Sequence, residues 1–309
     1  MNSVVSKFVG GVCLCGALMA WQRLDAQQQF ASPEDASKAL ATAVEARDTN
    51  ALDTIFGPEI HSLMSADPVQ ASNRFNLFAR RISQKAAWVR QSDDKLTLDI
   101  GYDGWPFPIP LERHDGQWAF DVAAGREEIL CRRIGENELG AIAVCHSYVD
   151  AQREYASTDR ENDGIIQYAR QLRSTPGKHN GLYWHAAPGE PASPFGPLIA
   201  AAHGEGYRKT TRVLDGGTTP YHGYFYKILT RQGRAAPGGK FDYIIHGHMV
   251  AGFALVAWPA QWDNSGIMTF IVNQNGRVYE RNLGPKTAAL ASAMTSYNPD
   301  SNWKPAQEP

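Results

Sequence analysis

Cysteine is scarce in this chain: four among 309 residues, with Cys13 and Cys15 close to the N-terminus and only Cys131 and Cys145 beyond it. That leaves room for at most one disulfide outside the N-terminal segment. Charge of one sign is missing as well. The 30 Lys and Arg stand against 32 Asp and Glu, a formal net charge of -2, which offers no broad basic field to nucleic acid or anionic lipid. No apolar run reaches the ~20 residues that a spanning helix needs, and no repeat or low-complexity tract is present. Signatures that announce a chemistry are absent too. There is no P-loop, no dinucleotide-binding glycine pattern after a strand, and no Gly-x-Ser-x-Gly elbow; Ser265-Gly266 has no such context. Cys145 and His146 leave adjacent helix positions in different directions and cannot act as a pair. Asp121, Glu190 and Asp242 could supply paired carboxylates, as could acidic residues in any chain of this size.

What is present begins with an export signal. Lys7 gives a positive n-region, Phe8 to Trp21 an apolar h-region, and the stretch to Ala26 a small-residue cleavage site, so residues 1–26 read as a signal peptide. Val12 and Leu14 stand where a lipoprotein signal wants a small residue, and Gln22, Arg23 and Asp25 follow the apolar run. The expectation is an exported protein, periplasmic or extracellular, with no integral membrane span after cleavage. Cys131 and Cys145 lie 14 residues apart, about 21 Å along an unbroken helix, so a bridge needs a sharp bend such as one at Gly135; the favoured reading is two unpaired, largely buried thiols.

Length favours two domains, and the fold class expected is α+β. The first, residues 30–124, opens with a helix capped by Ser32, with Pro33 and Asp35 following and Ala36, Ala39, Leu40, Ala43 and Val44 on its buried side. A short helix from Thr49 to Phe56 stops at Gly57-Pro58, and a further helix carries Phe75, Leu77 and Phe78. Leu96, Leu98 and Ile100 then alternate as a strand, and Leu111 to Phe120 folds over Asp115-Gly116 as a hairpin. Helices followed by a curved antiparallel sheet resemble the nuclear-transport-factor-like superfamily in order. Between the strands, the prolines of Trp105 to Pro110 predict an edge strap, with Trp105 and Phe107 as a candidate ligand platform.

The second domain, residues 125–303, opens with a linking helix that Gly135 breaks or bends, followed by a long helix from Asn137 to Tyr155 with a broad apolar stripe. Asp159, Glu161 and Asp163, at alternate positions ahead of Gly164, form a candidate calcium loop, although Arg170 stands where an EF-hand places its closing glutamate. The Gly- and Pro-rich loop 174–197 carries the candidate ligand-binding residues His179, Trp184, His185 and Glu190. Strands are expected over Tyr224–Thr230, Phe241–His246, Ala251–Trp258 and Met268–Asn273, with a two-residue turn at Asn275-Gly276 and a final helix near Lys286. His246 and His248 would share one strand face, as solvated histidines or, with His222 or His203, as metal ligands.

The stretches Trp105 to Pro110, Ala124 to Ile129, Tyr148 to Ala156, Ser174 to Lys178 and Gly252 to Pro259 closely resemble a bacterial family, number 2950 in the domain-of-unknown-function series, over Phe30 to Trp303. Asn137-Glu138, Ala141 to Ala143, Gly223 to Tyr226 and Phe270 to Gly276 are similar to the head region of type IV pilin and pseudopilin relatives. Those proteins carry an apolar helix half that anchors and packs in the fibre. Here another domain replaces it, which argues against fibre assembly by that route. The combined expectation is a non-catalytic envelope binding or assembly module, with an envelope or extracellular protein partner and calcium as a stabilising ion. The competing expectation is a periplasmic hydrolase with its site in loop 174–197, marked by convergence of His179, His185 and Glu190 in one concave pocket with a perturbed pKa.

Overall fold

A computed structural model describes residues 27–207 and 219–307; the expected signal peptide, with Cys13 and Cys15, lies outside the described residues. The chain is mixed helix and antiparallel sheet, and it divides into two compact units.

The first unit holds residues 27–62 and Phe78–Arg126. Helix α1 (Pro33–Ala46) starts where the Ser32 hydroxyl accepts the Asp35 amide, and Ala36, Leu40, Ala43 and Val44 are buried. Helix α2 (Thr49–Phe56), capped by Asp48, ends at Gly57 as the sequence indicated. The sheet comprises β1 (Ala86–Ser92), β2 (Lys95–Ile100), β3 (Trp105–Pro106), β4 (Leu111–His114) and β5 (Gln117–Phe120), in the order β1-β2-β4-β5 with β3 beside β2. Asp115 (φ +51°) and Gly116 (φ +81°) make the tight β4–β5 turn, with both central residues left-handed as a primed turn requires.

Phe107 departs from the platform expected of it. It is buried, stacked on Phe78 at 5.1 Å and edge-on to Phe120, so it belongs to the core and presents no face to a ligand. Trp105, in the edge strand, is half-buried beneath the Arg81 guanidinium at 5.3 Å.

The second unit holds Leu63–Leu77 and Glu127–Pro309. Helix α3 (Pro68–Gln84) begins in it and ends in the first unit. Helix α4 (Val122–Tyr155) is one unbroken helix of 34 residues. Gly135 does not break it: a mid-helix glycine costs about 1 kcal/mol, whereas each large apolar side chain buried farther along contributes about 1.5–3 kcal/mol. Ala141, Cys145, Tyr148 and Tyr155 supply that buried stripe.

The stripe turns polar towards the N-terminal half of α4. Arg133 and Asn137 are buried while Leu139 and Cys131 are exposed, so only Cys145 of the two thiols is buried, and both are unpaired. Arg133 donates to the Leu63 and Met64 carbonyls and the Asn264 side chain, and Asn137 donates to the Ser265 carbonyl. Those acceptors are what permit two polar side chains on the buried face. Burial first, and then Arg74, bring the Arg133 guanidinium down to about 10.

The main sheet of this unit contains β6 (Tyr224–Leu229), β11 (Ala254–Pro259), β12 (Met268–Asn273), β13 (Tyr279–Asn282) and β14 (Lys304–Pro305), in the order β14-β13-β12-β11-β6, and the unit also carries the short helices α5 (Gly196–Gly204) and α6 (Thr287–Ser292). β11 is buried at every residue, the pattern of a strand covered on both faces. Tyr148 of α4 donates to the Ala254 carbonyl at 3.1 Å. Gln152, fully buried, donates to the Ala169 carbonyl and accepts the Ala169 amide, both at 2.8 Å.

Two turns differ from expectation. The β12–β13 loop is longer than two residues, because the Asn273 side chain accepts the Asn275 amide and its carbonyl accepts that of Gly276. The expected strand Phe241–His246 divides into β8 (Phe241–Asp242), paired with β7 (Arg231–Gln232), and β9 (Ile244–Ile245), paired with β10 (His248–Met249). His246 (φ +48°) and Gly247 (φ +87°) form the β9–β10 turn, so His246 and His248 do not share a strand face. Among the described residues no helix is long and apolar enough to cross a membrane.

Candidate functional site

The loop that follows α4 is pinned by its own backbone. The Tyr155 hydroxyl donates to the His179 carbonyl at 2.7 Å, and burial pushes that phenol well above its ordinary pKa, which keeps it a donor. Residues 171–174 and 181–183 run side by side: Leu182 donates to Gln171, Tyr183 to Leu172 and Ser174 to Tyr183, at 3.1, 2.9 and 2.8 Å. The Ser174 hydroxyl accepts the Gly181 amide at 2.9 Å and donates to the Gly181 carbonyl at 3.2 Å. A Cβ on Gly181 would stand 2.6 Å from the Arg173 carbonyl carbon and the Ser174 nitrogen, so only glycine permits this approach.

The pinned loop encloses a cavity of about 500 Å3, lined by Arg173, Lys178, His179, Tyr183, Trp184, His185 and Glu190 among others. Its size is that of a small-molecule site, ~300–1,000 Å3. Trp184 is buried and donates its indole N–H to the Pro191 carbonyl at 3.0 Å. The His179 ring stacks on it at 4.4 Å, and the Arg160 guanidinium lies over the same indole at 5.7 Å. Glu190 is the one carboxylate in the lining, and its Oε2 accepts the Ala187 amide at 2.9 Å. A guanidinium, an ammonium and two imidazoles thus share the lining with one carboxylate.

Four residues singled out from the sequence, His179, Trp184, His185 and Glu190, therefore meet in one cavity. Hydrolysis would further require a nucleophile beside a base. Ser174 is buried with its hydroxyl engaged by Gly181, and among the described residues no hydrogen bond joins His179 or His185 to a hydroxyl or carboxylate side chain.

The acidic loop is stapled to itself. Asp159 accepts the amides of Glu161, Asp163 and Gly164, at 3.2, 3.4 and 2.8 Å, and these bonds, that of Gly164 foremost, hold its carboxyl below the usual carboxylate range. Asp163 accepts the Ile165 amide at 3.0 Å, and the Gln167 amide donates to Glu161 at 3.1 Å. Among the described residues no group of three or more His, Cys, Asp or Glu is arranged to hold a metal ion.

A family model described as a protein of unknown function, DUF2950, matches residues 27–306. The chain belongs to the DUF2950 family. No curated protein and no solved structure matches it. In this DUF2950 chain a second convergence was invisible in sequence. Gln70, Asn73, Arg74 and Leu77 of α3 line another cavity with Glu136, Glu205, Tyr207 and His222. The spacing i, i+3, i+4, i+7 of a mostly polar stripe was the signal available for α3. Nothing local marks Glu136, Glu205 or His222, which come from separate elements.

Proposed function

We propose that this DUF2950 protein is an exported, non-catalytic binding module of the cell envelope that takes an anionic ligand, carboxylate- or phosphate-bearing, in the cavity over residues 173–190. The observation that carries the reading is the basic lining of that cavity: the Arg173 guanidinium and the Lys178 ammonium, with the imidazoles of His179 and His185 as further N–H donors beside the aromatic rings of Tyr183 and Trp184, and Glu190 tied to a backbone amide. Guanidinium and ammonium groups on a partly enclosed wall bind such anions through charge-assisted hydrogen bonds. The engagement of Ser174 with Gly181 favours binding over hydrolysis. Export rests on the charged and apolar regions of the first 26 residues. The finer resemblances belong to the same proposal: helices ahead of an antiparallel sheet support a nuclear-transport-factor-like first unit, and a long helix ahead of an antiparallel sheet supports a pilin-head-like second unit.

The test is a calorimetric titration of the purified protein with dicarboxylates, phosphate monoesters and uronate oligosaccharides. Saturable binding by one class, weakened on the order of tenfold or more in Lys178→Ala or His185→Ala, supports the reading. Binding unchanged in both variants, or absent for every anion, overturns it.

A further inference from the structure

Two local features that each cost stability meet at one side chain, His222. Its backbone is left-handed (φ +48°), a conformation that a non-glycine residue adopts only against strain. Gly140 lies inside α4, and a Cβ there would stand 3.1 Å from His222 Nδ1, so the glycine makes room for the imidazole. The turn is held from below by Asp67, which is fully buried. Its Oδ1 accepts the Val69 and Gln70 amides at 3.1 Å each, and its Oδ2 accepts the Tyr207 hydroxyl at 2.7 Å and the Gly223 amide at 3.2 Å. Burial and then Asp67 push the Tyr207 phenol well up, which keeps it protonated as the donor. The Tyr207 ring in turn stacks with His222 at 5.9 Å.

The result of these costs is a second cavity, separate from the one over 173–190, of about 350 Å3. His222 Nε2 meets Glu205 Oε2 at 2.6 Å on one side, and Arg74 meets Glu136 at 2.6 Å on another. All four side chains are partly exposed, so both pairs are open to competition. Two carboxylates, a guanidinium and an imidazole around one amino-acid-sized space complement a ligand that carries both signs of charge. Leu77 and the Tyr207 ring add apolar surface.

We infer that this cavity is a binding site for a small zwitterion of the free amino-acid class, its carboxylate taken by Arg74 and its ammonium by Glu136 and Glu205. This site stands apart from the proposed anion cavity.

The experiment is the thermal midpoint of the full-length protein with L-alanine, L-glutamate, L-lysine and L-phenylalanine, each compared with its N-acetyl derivative and its amide. A ligand that binds only the folded state raises the midpoint with its concentration. The expected result is a saturable rise with at least one free amino acid, lost when either end is blocked. Binding should weaken on the order of tenfold or more in Arg74→Gln and in Glu136→Gln, the size of one charge-assisted contact. Gly140→Ala should weaken it without removing a charge, and Lys178→Ala should leave it unchanged. No rise with any free amino acid, or equal rises with the blocked forms, overturns the inference. So does a response kept in Arg74→Gln but lost in Lys178→Ala, which would place the amino acid in the other cavity. If Arg74→Gln does not fold, the blocked series on the unaltered protein decides.

Discussion

Replacing Asp67 by Asn removes a charge and almost no volume. The retained Oδ1 still accepts the Val69 and Gln70 amides, so the start of α3 keeps its cap. The new amide nitrogen, however, faces the Gly223 N–H and the Tyr207 hydroxyl, the partners of Oδ2. Loss of a charge-assisted bond from Tyr207 costs about 1.5–3 kcal/mol, and a buried amide left without an acceptor costs about 1–3 kcal/mol. The expected destabilisation is therefore about 2.5–6 kcal/mol. For a unit of this size, at about 2–4 °C per kcal/mol, the midpoint should fall by about 5–24 °C. Asp67→Ala should cost about 1 kcal/mol more, because the cap goes as well. Urea unfolding followed by circular dichroism measures both values, and hydrogen exchange at Gly223 locates the damage. An Asp67→Asn cost below about 1 kcal/mol, or an unchanged Gly223 exchange rate, would refute the account of Asp67 as the anchor of the His222 turn.

The remaining expectations concern single sites. Phe107→Ala should destabilise by about 3–5 kcal/mol as a core truncation, whereas Trp105→Ala, losing partial burial and an Arg81 contact, should cost about 1–2 kcal/mol; urea unfolding compares them. Alkylation of the folded protein at pH 8 followed by peptide mapping should mark exposed Cys131 and spare Cys145, whose thiol burial pushes up to about 12, until denaturant is added. Gly181→Ala should disrupt the 173–190 loop by forcing a backbone contact, read as faster exchange at Tyr183 and Ser174. The folded pKa of Asp159 lies below its ordinary value of 3.8, so its contribution is present above that value and is lost as pH falls through the folded one. Protection of the Gly164 amide should fade across that acidic window, and Asp159→Asn should remove the pH dependence.

Legibility in the sequence followed the range of the interactions involved. Ser32 with Asp35, the stop at Gly57 and the Asp115-Gly116 hairpin are decided within a few residues, and each was readable. Gly135 misled because helix propensity is a weak term beside the buried stripe that carries α4 through it. His246-Gly247 misled because a left-handed pair closes a hairpin that alternation alone reads as continuous strand. The loop cavity was partly legible, since its aromatic and imidazole residues lie within one short segment. The cavity around His222 was not: its four ionisable residues come from separate parts of the chain, and the glycine that admits the imidazole stands in an ordinary helical context.

Gln152 uses its primary amide as a portable peptide group. One carbonyl and one N–H are offered to Ala169 as a neighbouring strand would offer them, but from the flank of a helix. The chain that leads into the 173–190 cavity is thereby indexed to α4 at a single residue, as a ruler is set against a notch. Ahead of that notch the 159–167 loop is stapled to itself and not to Gln152. One residue added between 169 and 173 would shift every wall of the cavity relative to Tyr155.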